Sequence, residues 1–200
     1  VQKNAAYQKH GLLQEFYGRL GQHHFVSMKG WFSKCERELP QLMSFEGISR
    51  TETQDDQNLR LVADWKWYSE KQQLKMIAGF SNNKLSYFRS STEANFVNFD
   101  SDSRESVFTH QTRFDWNPTE NLSFQWSLGN TFSKVEIYDL AQQTGYNESR
   151  FESSLMNSVR ALLNKRLAAS FLFRTELYDE KLIAFIPSLG LDYNPDKTSE

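Results

Sequence analysis

Histidine and cysteine are the side chains best suited to hold a metal or attack a substrate, and this sequence spaces them against both roles. His23 and His24 are adjacent. Adjacent residues of a strand point to opposite faces, so the pair cannot chelate one ion. His10 and His110 have no carboxylate or thiol at ligand spacing. Cys35 is the single cysteine, which removes an internal disulfide and leaves an ordinary loop thiol. No Gly-x-Ser-x-Gly elbow, phosphate loop or dinucleotide fingerprint occurs. The expectation is a protein that is no enzyme and takes no metal and no cofactor.

Charge offers a binding role instead. The acidic run Glu52, Asp55, Asp56 and the pair Arg37-Glu38 share the stretch 34–56 with the apolar Leu39, Leu42, Met43 and Phe45. A loop of that mixture could contact a large amphipathic ligand, and loops on a rigid scaffold commonly carry recognition. Arg37, Glu38, Asp55 and Asp56 are therefore the candidate ligand-binding residues. The plainer alternative is that Arg37 to Pro40 caps a strand and the acids are solvated. The net charge of −2 gives no argument for nucleic acid. Arg60 and Lys66 interleave with Trp65 and Trp67, but alternation puts charges and rings on opposite faces, against a shared stacking platform.

The elements that would position these residues read as strands. Leu59, Leu61, Ala63, Trp65 and Trp67 alternate with Arg60, Val62, Asp64, Lys66 and Tyr68, the period of two that sends one set to each face. Leu122, Phe124, Trp126 and Leu128 alternate with Ser123, Gln125, Ser127 and Gly129, and Ile183 to Tyr193 alternates similarly. Segments near 74–81, 107–116 and 166–177 follow the pattern less cleanly, and 6–19, 22–33 and 149–163 have mixed faces. Good helix formers make a helix the rival over 155–178, but Phe171 and Phe173, two apart, suit a strand better. The count is about nine strands.

Connections alternate in length. Short turns are expected near 20–21, 69–71, 117–119 and 164–165, and longer polar loops near 34–56, 89–103 and 139–148, with Asp179-Glu180 a short member of the loop side. Short turns on one rim and long loops on the other mark a transmembrane barrel. No apolar run approaches the roughly 20 residues of a membrane helix, which leaves a barrel open. Several alternating runs persist for roughly 12 residues, beyond the about 5–6 of soluble strands. Trp65, Trp67, Trp116, Phe124 and Tyr193 cluster beside the short turns, as an interfacial girdle would. At 38% hydrophobic and 14% aromatic residues, the composition suits a sheet whose faces meet different media. A soluble antiparallel sandwich or barrel remains the alternative. The opening Val1-Gln2-Lys3-Asn4 is no signal peptide, and the alternation favours an internal or mature piece of a longer protein over a cytosolic one.

Trp31-Phe32-Ser33-Lys34-Cys35-Glu36-Arg37-Glu38-Leu39-Pro40 is a strand ending in an Arg-x-Leu-Pro element. A polar loop and the strand Asn58-Leu59-Arg60-Leu61 follow, and later Phe80 to Tyr87 ends in a tyrosine before another polar loop. This order resembles the barrel region of TonB-dependent outer-membrane receptors, cobalamin and iron-chelate receptors above all. The resemblance implies an all-β fold, an antiparallel meander of long strands forming part of a transmembrane β-barrel. Residues 1–200 would be a fragment of a barrel of about 22 strands, without the plug domain or TonB box. It also implies a Gram-negative outer-membrane location and active uptake of a scarce nutrient such as a corrinoid, siderophore or oligosaccharide. The implied partners are outer-membrane lipid, the receptor's own plug domain, the TonB energy-coupling protein through the missing N-terminal region, and a surface lipoprotein. A passive porin-like barrel stays open beside it.

Overall fold

A computed structural model describes residues 6–40, 50–91, 98–179 and 181–194. It contains nine strands: β1 (Tyr7–Leu20), β2 (His24–Glu38), β3 (Arg50–Tyr68), β4 (Gln72–Ser91), β5 (Phe99–Thr119), β6 (Leu122–Asp139), β7 (Thr144–Leu162), β8 (Leu167–Tyr178) and β9 (Lys181–Tyr193). They form one sheet in the order β1-β2-β3-β4-β5-β6-β7-β8-β9, every neighbouring pair antiparallel. The helix weighed over 155–178 is absent; β7 and β8 occupy that segment.

Chain order equals spatial order, so connections fall on alternate rims. The turns after β1, β3, β5 and β7 share one rim, and the connections after β2, β4, β6 and β8 share the other, as the alternation of lengths anticipates. Side chains close several of them. Gly21 takes φ 70° after β1, a conformation glycine adopts without penalty. Asn164 Oδ1 accepts from the amides of Arg166 at 2.8 Å and Leu167 at 2.9 Å, and Asp139 Oδ1 accepts from Ala141 at 2.9 Å and Gln142 at 3.0 Å. These are the local bonds that make Asn and Asp turn residues.

The strands are longer than the alternation suggested. β5 spans 21 residues and β4 spans 20, against the about 9–11 that cross a bilayer. Consequently the stretches read as loops are shorter. β2 runs to Glu38 and β3 begins at Arg50, and β4 runs to Ser91 and β5 begins at Phe99. Asn117 to Thr119, expected as a turn, instead ends β5 across a register shift, and the chain reverses at Glu120-Asn121.

This single layer has no conventional core. Ala168 is the one buried hydrophobic residue among those described, and no side chain is fully enclosed. The molecule exposes 14588 Å², where a compact chain of 23.5 kDa would expose about 9,800 Å². The edge strands show this most: Leu12 is 65% exposed on β1 and Leu189 is 74% exposed on β9. Stability within the sheet comes from the hydrogen-bond ladder and from close cross-strand fits. At Gly79 an added Cβ would lie 2.7 Å from Thr109 Oγ1. Gly79→Ala should therefore destabilise the intact protein by about 1 kcal/mol or more, read from its urea midpoint in lipid. Adding Thr109→Ala should recover most of the loss, and an unrecovered midpoint would place the strain elsewhere.

Candidate functional site

Directly paired residues share a face, so the registers sort the sheet into two surfaces. One carries Leu59, Leu61, Ala63, Trp65 and Trp67 of β3, and pairing places Leu74 to Phe80 of β4, Phe108 to Trp116 of β5 and Phe124 to Phe132 of β6 beside them. Phe171 of β8 lies on it too, and Phe185 joins by stacking on Phe173 at 5.4 Å. The other surface carries Arg60, Asp64, Gln125 and Arg174. Both assignments agree with the alternation.

Two aromatic rows bound the apolar surface. Beside the short turns, Trp116 stacks on Phe124 at 5.2 Å, Phe124 on Trp126 at 5.7 Å and Phe114 on Trp126 at 5.5 Å, while Trp65 stacks on His24 at 5.8 Å. The second row was not visible in the sequence. Phe80, Phe108, Phe132 and Phe151 are consecutive register partners on β4 to β7, each at least 37% exposed. From Phe108 to Trp116 the strand rises about 27 Å. No charged side chain lies on this face between the rows among the described residues.

One step beyond the phenylalanines the same face turns polar. Asn82, Ser106, Lys134 and Ser149 are paired there, then Lys84, Arg104, Glu136 and Asn147. Lys34 pairs with Glu36, and Lys134 with Glu136, in this outlying zone. The hydrogen bond from Lys34 holds the Glu36 carboxyl below the usual carboxylate range, and that from Lys134 does the same for Glu136.

The polar surface neutralises its charges locally, two residues apart on a strand or across a ladder. Lys66 pairs with Asp64 at 3.5 Å, Arg113 with Asp115 at 2.9 Å and Arg174 with Glu176. Lys29 meets Glu15 at 3.2 Å across β1 and β2. Arg60, separated by alternation from the rings of its own strand, nevertheless meets a ring: Trp31 of β2 lies 5.7 Å from its guanidinium.

Arg37, Glu38, Asp55 and Asp56 do not form one cluster, because they stand on strands rather than in a loop. Arg37 and Asp56 lie on the polar surface, where Arg37 Nη2 donates to Asp56 Oδ2 at 3.1 Å and Gln54 donates to the same carboxylate. Asp55 and Glu38 lie on the opposite surface, Asp55 being 3.6 Å from Lys34. A groove of about 610 Å³ at this rim is nevertheless lined by Arg37, Glu38 and Asp55 together with Tyr7, Gln54 and Tyr87. The apolar Leu42, Met43 and Phe45 fall outside the described residues. Among the described residues no group of His, Cys, Asp and Glu could hold a metal.

The apolar surface carries a polar network just inside the phenylalanine row. Ser153 donates to Asn130 Oδ1 at 2.9 Å, Asn130 Nδ2 lies 3.3 Å from His110 Nδ1, and Thr112 Oγ1 lies 3.0 Å from His110 Nε2. Each member satisfies another, which is the condition for polar groups in apolar surroundings.

No protein-family model matches the sequence, and no curated protein matches it either. Solved structures do match. The RagAB peptide importer in its open-open state aligns over 94% of this chain with a TM-score of 0.56 at 12% identity, and in its closed-closed state with 0.56 at 11%. A further structure of the RagAB peptide transporter gives 0.55 at 11%. The likeness is one of fold. This chain spans 30% of the length of each of those chains.

Asn130 bridges three strands of the polar network, so Asn130→Leu should strand His110 and Ser153 and cost about 1–3 kcal/mol. Chemical unfolding of the intact protein checks it; an unchanged midpoint would show that the network stabilises nothing.

Proposed function

We propose that this chain is a stretch of barrel wall from a TonB-dependent receptor that imports a nutrient across the outer membrane of a Gram-negative cell. The observation that carries the reading is the apolar surface free of charge between two aromatic rows. The about 27 Å between rows becomes about 20 Å perpendicular to the membrane at the usual tilt of roughly 35–45°, near the roughly 25 Å apolar band of such barrels. A charge is costly in hydrocarbon, and alternation sends every strand charge at this depth to the opposite surface, which would line the lumen. Uncovered in water, the same surface would be an aggregation hazard.

The edges support a larger barrel. β1 and β9 run in the same direction, so closing nine strands on themselves would need a parallel pair, whereas barrels of this kind are antiparallel with an even strand number. Further strands would satisfy both edges. The likeness to a peptide importer supports active import over passive diffusion, and it adds peptides to corrinoids, siderophores and oligosaccharides as cargo. A plug domain, the TonB protein and a surface lipoprotein would complete the machine. Within it Arg37 and Asp56 would contact cargo from the lumen side near the loop rim, while Glu38 and Asp55 would face outward.

Leu128 lies midway between the aromatic rows on the apolar surface, and Ser127 beside it faces the lumen. Leu128→Lys should cost about 2–4 kcal/mol in bilayers, and Ser127→Lys should cost little. Unfolding titrations in vesicles measure both; equal penalties, or a larger one at Ser127, would contradict a lipid-facing surface. For cargo, Arg37→Ala with Asp56→Ala should lower uptake by the full-length receptor by about tenfold, one lost charge-assisted contact. Unchanged uptake with normal membrane insertion would confine those residues to a structural role.

A further inference from the structure

The polar surface is not uniform along the sheet. On β5 and β6 it carries small hydroxylated side chains in its middle stretch. Thr109 pairs there with Thr131 and Val107 with Ser133, while Gly129 and Ser127 follow toward the short turns. Thr109, Gln111, Ser127 and Thr131 border a groove of about 430 Å³. On β1 to β3 the same surface carries large apolar side chains instead. Leu13 and Trp31 are direct partners, 61% and 50% exposed, and Val62, Tyr17 and Phe25 continue the strip toward the short turns. Phe25 meets Tyr68 edge-on at 5.8 Å at the lower end. Trp31 pairs with Arg60, the neighbour of Leu61, so the strip begins at the depth of the phenylalanine row.

A groove of about 660 Å³ lies within this strip. Tyr17, Phe25, Val62 and Ile77 form its apolar wall, and Arg19, Lys29, Lys66 and Asp64 its charged border. Two of those bases have an acid at hand: Lys29 meets Glu15 at 3.2 Å, and Lys66 meets Asp64 at 3.5 Å. Arg19 has none, its guanidinium lying over Phe25 and donating to the carbonyls of Gly21 and Gln22. Lys75, the direct partner of Lys66, makes no ion pair among the described residues, and the nearby Asp115 is held by Arg113 at 2.9 Å. In and beside the groove, bases therefore outnumber acids, with Arg19 and Lys75 as the surplus.

Water wets a wall of serine and threonine readily, whereas a contiguous exposed apolar strip marks a contact surface. We propose that a folded domain of the same protein, seated in the lumen, docks on β1 to β3 through an apolar ridge that bears carboxylates, and that the hydroxylated wall of β5 and β6 stays wet. The proposal rests on the membrane-barrel reading and assigns the wall that holds the plug. Charge complementarity sets the sign of the ridge, since a groove with surplus bases takes an acidic partner. This chain spans 30% of the length of the importer chains it matches, so proteins of that fold have chain to build such a domain. Cargo in transit would leave the strip in water between passages; a resident domain covers it throughout.

The test uses the intact protein in lipid vesicles, with Trp31 as the remaining tryptophan and acrylamide as the water-borne quencher. Without cargo, quenching at Trp31 should be several-fold weaker than at Ser133→Trp in a tryptophan-free background. Register places position 133 at the same depth, on the wet wall. Val62→Glu should raise quenching at Trp31, because the added carboxylate repels an acidic ridge, and Val62→Lys should raise it less. Equal quenching at the two positions, or shielding of Trp31 that appears only when a mixture of peptides is added, would overturn the docked domain. So would a larger effect of Val62→Lys than of Val62→Glu. Lipids brominated on their acyl chains are run in parallel. Strong quenching of Trp31 by those lipids sinks the barrel reading itself, whereas acrylamide access without it sinks this inference alone.

Discussion

A one-layer sheet cannot bury its own apolar side, and that constraint organises everything else in this molecule. Between β1 and β9 backbone groups are paired within the ladder, the outer edges of those two strands excepted, so hydrogen bonding calls for further strands in the same layer and not for a second layer. The side chains do. With scarcely a buried hydrophobic residue in the sheet, the free energy that ordinarily comes from a core must come from an external apolar medium or from another protein surface. The ladder and the uncovered apolar side are complementary, because hydrocarbon tolerates only backbone that is already paired.

The two surfaces then follow from period-two geometry. A charge in the span between the aromatic rows has one tolerable direction, and the chain observes it on every strand described. On the polar side the charges are matched at short range, as in Arg113 with Asp115 and Lys66 with Asp64. Such exposed pairs contribute little stability in water; their consequence is a wet wall without a strong field of one sign. The His110, Asn130 and Ser153 network shows the cost of an exception, since three strands must cooperate to satisfy it.

The central parts of the strands were legible in the sequence because one face there is apolar. Trp65 and Trp126 declare their sides through their neighbours alone. Beyond the phenylalanine row both faces are polar, as at Lys34 to Arg37 or Asp100 to Ser103, and the alternation that signals a strand fades although pairing continues. Those stretches therefore read as loops, which misplaced Arg37, Glu38, Asp55 and Asp56 into a common loop when alternation splits them between two surfaces. Registers were the other hidden quantity. Phe80, Phe108, Phe132 and Phe151 are unremarkable singly and become a row only through pairing, as does Arg60 with Trp31.

The most direct test of a hydrocarbon-facing surface is quenching of tryptophan fluorescence by lipids brominated on their acyl chains. In the intact protein reconstituted in such vesicles, Trp126 as the remaining tryptophan should be strongly quenched. In a tryptophan-free background, Gln125→Trp should be quenched little, because alternation points position 125 into the lumen. Equal quenching at the two positions, or stronger quenching at 125, would contradict the account.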